Sequence, residues 1–89
     1  MAKKRRKLNK DFEKKIYSSK KNVELVLAKI YDIDDEDIQK EYMSAFNGVA
    51  YIYNELKEDY EKKGFNENSE GLLLNYKNAF NLFESEFEI

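Results

Sequence analysis

The residues of this chain best suited to chemistry are its lysines, whose spacing gives them a common direction. Lys3, Lys7, Lys10, Lys14 and Lys21 follow one another at intervals of 4, 3, 4 and 7, steps that return side chains to one face of an α-helix. A row of ammonium groups attracts anions, and phosphate is the anion that comes in rows. On one continuous helix the row from residue 3 to residue 21 is expected to span about 27 Å, at 1.5 Å per residue. That is long enough to follow the phosphates of a duplex groove or an RNA strand. Lys4, Arg5, Arg6, Lys15 and Lys20 widen the patch, and Asp11, Glu13 and Glu24 are too few to neutralise it. The candidate nucleic-acid-binding residues are therefore Lys3, Lys4, Arg5, Arg6, Lys7, Lys10, Lys14 and Lys21. The bland alternative is a solvated outer helix face, which would mix more Glu among the lysines. KKRRK also matches a nuclear-import pattern.

Other constellations offer less. Asp32, Asp34 and Glu36 resemble the opening of a calcium-binding loop, but the sixth position, which needs Gly, is Asp37, and the twelfth, which needs Glu, is Met43. Helix capping accounts for these acids. Glu55, Glu58, Asp59 and Glu61 sit beside lysines on what reads as a solvated face, without the burial that makes a carboxylate an acid catalyst. There is no Cys and no His, which removes disulfides, thiolate metal sites, the commonest metal ligand and the usual acid/base near neutral pH. The expectation is a non-enzymatic protein without a metal or other cofactor.

Three elements must position these residues. The first helix, roughly Asn9 to Tyr31, carries an apolar arc of Leu8, Phe12, Ile16, Val23, Val26, Leu27 and Ile30 opposite the lysines. DIDDEDI then forms a junction, with Asp34 expected as N-cap, further acids in the first turn, and Ile33 and Ile38 at the spacing of a hydrophobic staple. The second helix, from about Asp35, presents Ile38, Tyr42, Ala45, Phe46, Val49, Ile52, Tyr53, Leu56 and Tyr60. It is expected to end with Lys62 and Lys63 in its last turn, Gly64 in the left-handed conformation, and Phe65 folding back on Tyr60. Gly48, in mid-helix, reads as close approach of another helix or as simple tolerance. After a polar loop, with Asn68 or Ser69 as N-cap, a third helix presents Leu72, Leu73, Tyr76, Ala79, Phe80, Phe83 and Phe87.

This pattern predicts an all-α fold: three amphipathic helices in a small antiparallel bundle, residues 9–89, behind a basic N-terminal arm, residues 1–8. Tyr17, Leu25, Tyr51, Leu74, Leu82 and Ile89 miss the stripes, as scattered surface residues or as a surface for a homodimer or protein partner.

At 89 residues the chain has room for one core. Its formal charge of −2 hides an asymmetry. Residues 1–31 hold 11 Lys/Arg against 3 Asp/Glu, a balance of +8, and residues 32–89 hold 5 against 15, a balance of −10. No apolar run spans a bilayer and no signal-peptide core follows the basic start, so a cytoplasmic protein without a membrane partner is expected. The Lys, Asn, Ile and Tyr bias suits AT-rich coding and points to a low-GC bacterium or its phages. The expected function is that of a small regulator from a phage or mobile element, acting on nucleic acid or a nucleoprotein complex through the arm and first helix. Two alternatives come from the same charges. The acidic remainder, with Asp37, Glu41, Glu55 and Asp59 along one side of the second helix, could imitate DNA and block a nucleic-acid-binding enzyme, as the anti-CRISPR proteins do, which are similar in size and charge. Or opposite ends of successive copies could join as an oligomerising scaffold.

Overall fold

Asn9 starts the first helix. Its backbone is extended (φ −139°, ψ 104°) and its side-chain oxygen accepts the Phe12 N–H at 3.0 Å, satisfying a donor that the first turn leaves free. In the computed structural model, which describes residues 7–89, α1 then runs Lys10–Tyr31. Asp11 and Glu13 lie in its first turn, against the positive end of the helix dipole.

This cap corrects the expectation of one continuous helix through the lysine row. Lys7 precedes the helix and pairs with Gly64 in an isolated parallel bridge, its carbonyl accepting the Phe65 N–H at 2.6 Å. That bond needs a carbonyl outside any helix. Leu8 falls with it: helical counting does not extend past the cap, and the side chain is 66% exposed.

At the α1–α2 junction the cap is Asp35, not Asp34. One Asp35 carboxylate oxygen accepts the N–H groups of Asp37 and Ile38, at 2.9 and 3.1 Å, and α2 runs Glu36–Lys63. Gln39 sets this register, because its Nε2 donates to the carbonyls of Ile30 and Tyr31 and ties the first turn of α2 to the last turn of α1. Ile38 is 44% exposed, so the expected staple buries little.

The α2–α3 turn is organised by Asn66. Its Nδ2 donates to Asp59 and to the Gly64 carbonyl, its Oδ1 accepts the Asn68 N–H, and its own N–H donates to the Ser69 hydroxyl, each at 2.9 Å. Gly64 has φ 71° and ψ −163°, a region only glycine occupies readily. The positive φ expected of Gly64 is thus present, but its ψ departs from the left-handed helical value, and the exit this gives lets Gly64 pair with Lys7. Phe65 packs edge-on against Phe12, itself in contact with Tyr60. α3, Ser69–Glu86, follows Asn68, whose side chain makes no capping bond.

α2 is the central helix, and α1 and α3 both pack along it, antiparallel to it. The three apolar stripes meet in one core: Phe12, Val23, Val26 and Ile30 from α1; Phe46, Val49, Tyr53, Leu56 and Tyr60 from α2; Leu73, Tyr76, Phe80 and Phe83 from α3. Phe46 is nearly sealed and meets Phe83 edge-on at 4.9 Å between ring centroids, a favourable geometry for the ring quadrupoles. Ala45 is exposed rather than in the core, and a Cβ placed on Gly48 would meet nothing within 4 Å. Among the described residues no other helix comes within 4 Å of that position. The six apolar residues that missed the stripes are all exposed. The described residues extend over 57 × 22 × 18 Å. None of the three helices is long and apolar enough to cross a membrane.

Candidate nucleic-acid interface

The rotation of α1 decides where its lysines point. Ser19, on the inner side, is buried and donates its hydroxyl to the Lys15 carbonyl at 2.8 Å, while the Tyr76 hydroxyl of α3 donates to the Ser19 carbonyl at 3.2 Å. Burial pushes the Tyr76 phenol up to about 12, which keeps it protonated as a donor. With Phe12, Val23, Val26 and Ile30 facing the core, Lys10, Lys14 and Lys21 stand exposed on the opposite side.

Tyr17 lies among them. Lys21 Nζ sits 5.2 Å from the Tyr17 ring centroid, within cation–π range, and Lys10, Lys14 and Tyr17 share a shallow depression with Glu13. Among the described residues these three lysines have no carboxylate within ion-pair distance; the pair present there is Lys63–Asp59, at 3.5 Å. Glu13, adjacent to Lys14 in sequence, accepts the Tyr60 hydroxyl, which in turn accepts the Asn9 N–H at 3.0 Å. Its carboxylate is drawn toward α2.

Beside this face, α1 and α3 border a groove of about 700 Å³. Lys14 and Lys15 approach it from α1, and Lys77, Asn78 and Asn81 from α3. Lys77 lies in the acidic part of the sequence, and only the packing of α3 beside α1 brings it to the basic side. The groove therefore combines three positive charges and one carboxylate, that of Glu84, with carboxamides that both donate and accept hydrogen bonds.

Of the sequence candidates, Lys10, Lys14 and Lys21 come together, over about 16 Å of helix instead of 27. Lys7 stands apart, its backbone committed to the α2–α3 turn. Lys3, Lys4, Arg5 and Arg6 lie outside the described residues. Of the four acids expected on one side of α2, Asp37, Glu41 and Glu55 are exposed, but Asp59 is half-buried and engaged by Asn66 and Lys63. Among the described residues no three Asp or Glu side chains are placed to hold a metal ion. No family model, curated protein or solved structure matches this chain.

Proposed function

We propose that this protein is a non-enzymatic binding module that docks on the phosphate backbone of nucleic acid, free or in a nucleoprotein complex, through the outer face of α1. The observation that carries this reading is the grouping of Lys10, Lys14 and Lys21 around Tyr17, all exposed, without a carboxylate partner among the described residues. A merely solvated helix face gains from interspersed acids, which screen like-charge repulsion at i, i+4 spacing. On this face the acid that borders Lys10 and Lys14, Glu13, is engaged by the Tyr60 hydroxyl instead.

Phosphate contacts position a protein without reading bases, so the expected mode has little sequence preference. The test is fluorescence anisotropy with labelled duplexes and single strands of about 20 nucleotides at about 50 mM salt, where such contacts are strongest. Wild type is expected to bind, and Lys10→Ala/Lys14→Ala/Lys21→Ala to bind at least about tenfold more weakly with unchanged circular dichroism. Wild type that binds neither probe makes the lysine row a solvated face.

A further inference from the structure

The side of the molecule bounded by α2 and α3 has a different character. An apolar trough of about 650 Å³ runs between these helices, and no α1 residue lines it. Its lining includes the buried Val49 and Phe83, the small residues Ala45, Gly48 and Ala79, and the exposed Ile38 and Leu82. Leu82 is 76% exposed. Along α2 the lining from Ile38 to Ile52 covers about 21 Å, or four turns.

Gly48 sharpens the point. A glycine inside a helix is destabilising relative to alanine, yet among the described residues nothing comes within 4 Å of the place its Cβ would take. That space opens into the trough. The trough's charged lining consists of Glu41 and Glu86, the latter held by a hydrogen bond from the Tyr42 hydroxyl. The neighbouring sequence reinforces the sign: residues 32–41 hold six acids against Lys40, and residues 84–88 hold three more.

We propose that this trough receives an amphipathic helix of another protein, one whose apolar ridge is flanked by lysine or arginine. Length and an apolar lining that includes small residues suit a helix lying in a groove, and the glutamates select the sign of its flanks. A second copy docked trough to trough would set the same glutamates against each other, which like charges disfavour. The trough shares no residue with the lysine face of α1, so both can be occupied at once.

The probes are two labelled synthetic helices of about 18 residues with the same leucine ridge, one flanked by lysines and one by glutamates, titrated into the full chain at about 150 mM salt. The lysine-flanked peptide is expected to bind at least about tenfold more tightly and to shift amide resonances of Ala45, Gly48 and Leu82. Gly48→Leu adds bulk to the lining at a position where a Cβ meets nothing within 4 Å, and Leu82→Glu changes an exposed residue. Both are expected to keep the fold by circular dichroism and to weaken that peptide about tenfold. Equal affinity for the two peptides, shifts confined to other surfaces, or variants that bind like wild type would overturn the proposal. So would sedimentation showing a dimer that Leu82→Glu dissolves, since the occupant would then be a second copy.

Discussion

Asp35 and Asp34 are adjacent acids of the same type, yet the fold uses them differently. Asp35 satisfies two N–H groups of the first turn of α2, so Asp35→Ala is expected to cost about 1 kcal/mol. Asp34 is exposed, and Asp34→Ala is expected to stay within about 0.5 kcal/mol. Urea unfolding of the two variants compares them, and a larger loss at Asp34 would show that the cap is misplaced. Tyr76 gives a pH signature at the same scale. Its burial favours the neutral phenol, so the stability this supplies is complete below about pH 10, where an unfolded tyrosine titrates. It is lost as pH rises from there through about 12. The urea midpoint is expected to fall across that interval, and less steeply in Tyr76→Phe. Identical slopes would mean that Tyr76 does not contribute. Neither the shared work of Asn66 nor the bond from Tyr76 to Ser19 was legible in the sequence. The Asn66 bonds are local, reaching no further than Asp59 seven residues away, but depend on the conformation of the turn. The Tyr76 bond reaches a carbonyl 57 residues away that only folding brings near.

The helices themselves were legible, for a physical reason. Apolar side chains recur at three- and four-residue steps through all three, and the positions that seal the core, such as Val26, Ile30, Phe46, Leu56 and Phe80, are the ones on those stripes. What failed to carry over lies at the ends of the elements. Helical counting ran through Lys7 and Leu8 because spacing alone does not show where a cap stops the helix, although Asn9 has the side chain to do it. Gly64 was visible as a break, but the pairing of its exit with Lys7 was not, since the partner is distant in sequence. Packing at the centre of the bundle sets the next expectation. Phe46 contacts both Phe80 and Phe83, and Phe46→Ala is expected to cost about 3 to 5 kcal/mol, as truncation of a sealed aromatic leaves a cavity. Thermal melting checks it, and an unchanged midpoint would be incompatible with this core.

Over the whole molecule, the charge asymmetry of the sequence becomes two surfaces of different chemistry. α1 carries the lysine face, extended toward α3 by Lys77, and the α2–α3 side carries the apolar trough with its glutamates. The lysine face was legible as a row, because its residues share one helix. Lys77 was not, because its place depends on how two helices pack. The trough was legible only as unexplained residues, Gly48 and Leu82 among them, since a groove between helices has no signature in either one alone.

The salt dependence of nucleic-acid binding tests the central claim most directly, because counterion release ties its slope to the number of phosphates neutralised. If Lys10, Lys14 and Lys21 each meet one phosphate of a duplex, they contribute about −2.7 to the slope of log affinity against log salt, at about −0.9 per contact. The measurement compares wild type with Lys10→Ala/Lys14→Ala/Lys21→Ala over the same salt series on two duplexes of unrelated sequence. The variant's slope is expected to be shallower by about that amount, with the two duplexes weakened alike. An unchanged slope, or no measurable binding by wild type at low salt, would contradict it.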